Sequence, residues 1–152
     1  MSLSTLNALL AEALTGAGLP AVVLNASGMA EIDVRGLTIA LEYMEADERL
    51  VLYCSLGRLP AEASSDVYEY LLEADLFGAK LGGGHIGLYS PTRTLLFSFS
   101  LSLPGLSAPQ LANALQRFAE RSASLIVEVE DRLAGGSGTT DLTSFMGTML
   151  WV

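Results

Sequence analysis

Apolar residues recur every three or four positions at the start of the chain. Leu3, Leu6, Leu10, Ala13, Leu14 and Ala17 form one stripe, the spacing of a helix with one buried face. The stripe stops at Gly16 to Pro20, where glycine and then proline end a helix. After a short extended piece at residues 21–24 the period changes to two. Ala30, Ile32 and Val34 alternate with Glu31 and Asp33, and then Leu37, Ile39, Leu41 and Tyr43 alternate with Thr38 and Glu42. This predicts two strands, and the separator Arg35-Gly36 predicts a hairpin between them. An acidic turn, EADER, leads into a third strand over residues 50–56, completing a meander.

The second half repeats the two periods. A helix is expected from about Pro60, a good first-turn residue, to residues 76–78, where Gly78 can supply a left-handed cap. A glycine run, a strand over residues 85–90, a Pro91-Thr92 turn and the strand LLFSFSLSL follow. In that last strand Leu95, Phe97, Phe99, Leu101 and Leu103 share one face, and Ser98, Ser100 and Ser102 the other. The third helix opens at SAPQ. Ser107 can cap it, Gln110 can reach back, and Pro109 suits the first turn. Its apolar positions Leu111, Leu115, Phe118, Leu125 and Val129 step by threes and fours towards Leu133. The chain then takes on a linker composition, AGGSGTTD, and closes on the apolar FMGTMLWV. The order is helix, three strands, helix, two strands, helix: an α+β fold with an antiparallel twisted sheet of about five strands and three helices on one side. Residues 1–134 form the expected domain, and residues 135–152 a linker and apolar tail.

Charge narrows the possible partners. The net charge is −9, from 17 acidic against 8 basic residues, and Lys80 is the only lysine. Nucleic acids and anionic membranes are bound through basic patches, so neither is an expected partner. The single cysteine, Cys54, lies in the apolar run LVLYCSL and reads as a buried strand residue in a reducing compartment. The N-terminal apolar run has no positive charge before Arg35 and is interrupted by Glu12, unlike a signal peptide. No run reaches the ~18 apolar residues of a membrane span. A cytoplasmic location is expected.

One motif invites a catalytic or nucleotide-binding reading. Gly82-x-Gly84-x-x-Gly87 has the spacing of a dinucleotide loop, but such a loop leaves a strand and opens a helix. Here it follows a helical pattern and leads into a strand, so the glycines are read as a chain reversal. Nor does Gly-Lys-Ser/Thr follow, as a phosphate loop requires. One histidine, His85, and one cysteine make a histidine-and-cysteine metal cluster unattainable. The carboxylates show no acid/base spacing. No enzyme activity, cofactor or metal is expected.

The middle helix carries surplus apolar surface. Glu62, Asp66, Glu69 and Glu73 form one narrow acidic stripe, and Val67, Tyr68, Tyr70, Leu71, Leu72, Ala74, Leu76 and Phe77 fill most of the remaining circumference. That apolar arc spans roughly 200°, against the ~100° a core-facing helix needs. Either the helix is sunk deep in its own monomer or part of the arc meets a second copy. The reading preferred here is a homodimer through this helix. The first helix has a similar, weaker surplus, and the exposed sheet edge beside it suits an extended peptide.

The run LLEADLFGAKLGGGHIGLYSPTRTLLFSFSLSLPGLSAPQLANALQRFAE, residues 71–120, resembles the class I type III secretion chaperones, the Tir chaperone family. LLEADLFG is its most specific phrase, and ERLVLYCSLGRLP is similar to the family's strand before the second helix. The resemblance implies a small acidic homodimer of the bacterial cytoplasm, without ATP or metal. It would bind the N-terminal region of a secreted effector in extended form and deliver it to the secretion apparatus. By the family pattern the subunits pair through Val67, Tyr70, Leu71, Ala74, Ile86 and Leu88. Effector-binding patches fall on Leu6, Leu10, Leu24, Ile39, Leu41, Leu96 and Phe97. Two features depart from the pattern: the serines of FSFSLSL, and the tail FMGTMLWV, which could dock in a groove, occupy a vacant effector site or be disordered. The alternative is a non-catalytic regulator of the same fold that binds a bacterial regulatory protein.

Overall fold

The computed structural model describes residues 1–135. The expected linker and tail over residues 135–152 thus fall, but for Gly135, outside the described residues. The elements are α1 (Leu3–Gly16), β1 (Met29–Val34), β2 (Leu37–Met44), β3 (Arg49–Arg58), α2 (Ser65–Asp75), β4 (His85–Tyr89), β5 (Thr94–Ser102) and α3 (Ala108–Ala134). A short 3-10 turn, Glu45–Asp47, precedes β3, and a longer 3-10 segment, Leu76–Leu81, continues from α2. This is the expected α+β order. The strands form one antiparallel sheet in the order β1-β2-β3-β5-β4.

Local chemistry sets the hinges between elements. Val34 pairs with Leu37 across a two-residue turn in which Arg35 and Gly36 both have positive φ, the tight hairpin whose twist matches that of the strands. Ser2 caps α1 by accepting from the Thr5 amide. At α3 the full capping box forms: the Ser107 hydroxyl accepts from the Gln110 amide, and the Gln110 side chain accepts from the Ser107 amide. The extended piece at residues 21–24 joins no strand. Instead Asn7 of α1 donates to the Leu24 carbonyl at 3.2 Å and accepts from the Leu24 amide at 2.9 Å, taking the place of a neighbouring strand.

The strands alternate in burial as their sequence alternates in polarity. Ile32, Val34, Ile39, Leu41, Leu50, Leu52, Cys54, Leu56, Leu95 and Phe97 point into the core, where α1 and α3 pack together and α3 crosses β3. Phe97 stacks on Phe118 of α3, ring centroids 4.8 Å apart and planes 4° from parallel. The opposite face of the sheet carries Glu31, Asp33, Thr38, Ser55, Ser100 and Ser102, all exposed. A one-layer helical cover over one face is the α+β solution for such strands.

The middle helix starts later than its sequence suggests. Pro60 to Ala63 lie in a turn, and α2 begins at Ser65 with Ser64 as its N-cap residue. Arg93 anchors the earlier segment. Its guanidinium donates to the carbonyls of Leu59 at 3.1 Å and Pro60 at 3.0 Å, and to the Tyr68 hydroxyl at 3.3 Å. The helix also ends before Gly78, at Asp75, and both Phe77 and Gly78 then turn left-handed.

Candidate protein-binding surfaces

The apolar arc of α2 divides into two halves. Val67, Leu71 and Ala74, spaced by four and three, face inward and are buried. Tyr68 and Leu72 lie on the next stripe and face solvent, Leu72 at 74% exposure, followed by Leu76 and then Phe77 at 93%. The surplus predicted from the sequence is therefore present, and its outward half is carried by residues other than those named for it. Val67, Leu71 and Ala74 are core in this protomer and have little surface to offer a second copy. Ile86 and Tyr70 are half-buried, and Leu88 is exposed.

Tyr70 ties α2 to α3. Its hydroxyl donates to the Glu128 carboxylate, and the Arg132 guanidinium lies 4.4 Å over its ring. Burial first, and then the bond to Glu128, push the phenol up to about 12. The same bond is the main cause holding the Glu128 carboxyl below the usual range. At the other end of α2 the Asp75 carboxylate accepts from the Ile86 amide at 2.7 Å, anchoring β4 to the helix.

The glycine motif acts in chain reversal. Gly82 and Gly83 have φ of +62° and +89°, and Gly84 lies against the Phe97 ring. The one cysteine and the one histidine of the sequence are also separated. Cys54 is opposite Phe97 and faces the core, whereas His85 is opposite the next residue of β5, Ser98, and is exposed on the other side of the sheet. Burial pushes the Cys54 thiol up, against a smaller lowering by Ser122, which disfavours the thiolate. No cluster of three metal-binding side chains occurs among the described residues. None of their helices is long and apolar enough to cross a membrane.

Two clefts flank α3. The first, about 290 Å³, lies between β5 and the first half of α3, over Phe97, Phe99, Leu101 and Phe118, with Arg117 and Arg121 at its rim. The second, about 600 Å³, lies where the end of α1 and the β1–β2 turn meet α3 at Gln116 to Ser124. Neither is lined by the residues expected to form effector-binding patches, apart from Phe97. Leu6, Leu10, Leu24, Ile39, Leu41 and Phe97 are at most 2% exposed and belong to the core, and only Leu96, half-buried on the outer face of β5, reaches solvent. Strict alternation identifies the inward face of a strand, and that face is filled here by the protein's own helices.

A family model describing the Tir chaperone proteins (CesT) matches residues 8–125. The chain belongs to this family. Solved structures share its fold. The chaperone–effector complex of HopA1 and SchA is similar at a TM-score of 0.66 and 19% identity, over 83% of this chain and 98% of that one. The Yersinia pestis type III secretion chaperone SycH, in complex with a stable fragment of YscM2, is similar at 0.61 and 23%, over 78% and 98%. The ExoU–SpcU complex of the Pseudomonas aeruginosa type III secretion system follows at 0.62 and 17%, over 81% and 96%. No curated protein matches the sequence. The outward apolar residues Leu72, Leu76 and Phe77 were recoverable only as members of an over-wide arc.

Proposed function

We propose that this chain is a non-catalytic secretion chaperone of the bacterial cytoplasm. It pairs with a second copy and holds the N-terminal region of a secreted effector in extended form for delivery to a type III secretion apparatus. Residues 1–134 act as the chaperone domain, with residues 135–152 as an appendage. Membership of the Tir chaperone family supports the role. The observation that carries the pairing is the exposed apolar set on α2, the segment after it and β4: Leu72, Leu76, Phe77, Leu88 and Tyr89.

Phe77 supports that reading twice. It is a bulky residue with φ of +56°, a conformation costing roughly 1–2 kcal/mol, and it is also the most exposed large apolar residue described. Strain spent on pointing an aromatic ring at water is consistent with a ring that water does not keep. All of β4 except Ile86 is exposed although both its neighbours in space, β5 and α2, are in place. A second copy across a two-fold axis would cover both features with one self-complementary surface.

The effector would lie on surface the protomer leaves open: the two clefts beside α3 and the free edge of β1, where an extended peptide can continue the ladder. The acidic outer residues Glu31, Asp33 and Glu42 favour a segment with basic side chains there. The test is co-purification of the tagged protein from its own bacterium under secretion-inducing conditions, with mass spectrometry and limited proteolysis of the bound species. A stoichiometric secreted protein protected only near its N-terminus is the expected result. A transcription factor or signalling protein in its place would replace the chaperone reading with that of a regulator.

A further inference from the structure

We infer that the cleft between β5 and the first half of α3 is completed by a second copy of this chain, whose Phe77 ring enters it while the first copy's Phe77 enters the partner's cleft. The inference rests on the pairing through α2 proposed above and names the contact that anchors it. The cleft's volume of about 290 Å³ falls at the lower limit of the ~300–1,000 Å³ usual for small ligands, which suits one large side chain better than a cofactor. Its floor is largely aromatic: Phe97 and Phe118 are buried and stacked, and Phe99 and Leu101 are half-buried. Its walls are low at Gly82 and Ala114, where no side chain extends beyond a methyl group. A phenyl ring seated there would meet other rings, a contact that adds to the burial of its area.

Position and charge favour this occupant. Phe77 is 93% exposed and stands on the 3-10 segment whose last residue, Leu81, lines the cleft together with Gly82. Four residues span at most ~14 Å, so the ring and the cleft wall are close neighbours on the protomer. A two-fold axis passing between such neighbours exchanges them, and a ring and a pocket on one protomer become a matched pair on two. An aromatic anchor in a water-free pocket is the usual energetic centre of such an interface. At the cleft rim Arg121 is engaged by Glu128 at 3.1 Å, whereas Arg117 is exposed and makes no ion pair among the described residues. On α2, Glu73 is engaged by Lys80 at 3.7 Å. Glu69, eight residues before Phe77, is exposed and likewise without an ion pair among the described residues. The partner's Glu69 is the complement of Arg117. Of the surface the protomer leaves open, pairing then takes this cleft, and the larger cleft and the edge of β1 remain for an effector.

Photo-crosslinking of the full chain tests the contact. Phe77→p-benzoylphenylalanine puts a reactive ring at the exposed position, and mixing isotope-labelled with unlabelled protein separates links between copies from links within one. The unaltered chain should sediment as a dimer at micromolar concentration. On irradiation of the variant, mixed-isotope links should run from position 77 to residues 97–101 or 110–121. Asn113→p-benzoylphenylalanine, at the exposed rim of the cleft, reads the same contact from the other side and should link to residues 76–78 of the second copy. This second probe keeps the test sound where the larger ring at position 77 weakens pairing. Arg117→Glu should raise the dimer dissociation constant about two- to fivefold, the range an exposed ion pair supports, and Glu69→Arg in the same chain should restore it. A dimer whose links run to other surfaces, or only within one chain, would overturn the inference and leave the pairing standing. A dissociation constant unmoved by Arg117→Glu would do the same. A monomer of the unaltered chain would instead remove the pairing itself, and this contact with it.

Discussion

Gly84 lies directly beneath Phe97. A Cβ on Gly84 would sit 2.5 Å from the Cε2 of that ring and 2.7 Å from the carbonyl oxygen of Ser98. The ring has little room to yield, because it is buried and stacks on Phe118. The third glycine of the run is therefore required by packing, whatever its resemblance to a nucleotide loop. Gly84→Ala should destabilise the fold by about 1–3 kcal/mol, the usual cost of overpacking. Urea denaturation would read this, and unchanged stability would show that the ring moves freely.

Leu10 separates two accounts of the apolar residues. It is fully buried between α1 and the rest of the core, so Leu10→Ala should cost about 2–5 kcal/mol. A residue whose role was to hold a partner would instead lose binding at unchanged melting temperature. Calorimetry of the variant alone decides between them.

Leu72→Asp and Phe77→Asp should behave in the opposite way. Both residues lie largely in water in the protomer, so each substitution should alter the unfolding of the isolated chain by no more than about 0.5 kcal/mol, the range of ordinary surface changes. Each should shift the sedimentation mass at micromolar concentration from dimer to monomer. Dimers that survive both substitutions would move the interface off α2.

Tyr70 gives the fold a signature in pH. Its folded pKa of about 12 lies above the ordinary 10.0, so the stability its O–H bond supplies is complete below pH 10 and is lost as pH rises from 10 towards 12. Glu128 shifts the other way, below 4.5, so its contribution is present above that value and is lost as the carboxylate protonates in acid. Tyr70→Phe removes the shared hydrogen bond. It should cost about 1 kcal/mol at neutral pH, with the difference from the parent shrinking at both extremes. Denaturation midpoints across pH 3 to 11 would show it, and a difference constant with pH would contradict it.

The sheet was legible because alternation records which side of a strand is dry, and Ile32, Ile39, Leu52 and Phe97 all face as the pattern requires. The Ser107–Gln110 box was equally legible, because it closes within four residues. The start of α2 was not: Pro60 suits a first turn, but Arg93, more than thirty positions away, holds the carbonyls of Leu59 and Pro60. The exposed apolar surface was legible in amount and not in place. An apolar arc twice the needed width states that something else must cover it, while only the docking of α2 on β4 and α3 decides that Val67 turns inward and Leu72 outward.

The strand order has one more consequence. β3 and β5 are partners at the middle of the sheet, and everything from Leu59 to Arg93 leaves that ladder and returns to it, with the Leu59 amide bonded to the Arg93 carbonyl at 2.8 Å where the excursion closes. α2 and β4 thus form a flap stitched shut at its base. Such a flap can open as one cooperative unit while the central ladder stays protected, so amide protons of α2 should exchange ahead of those of β3 and β5. The pairing proposed through α2 and β4 would then be able to part and re-form while the central ladder stays folded.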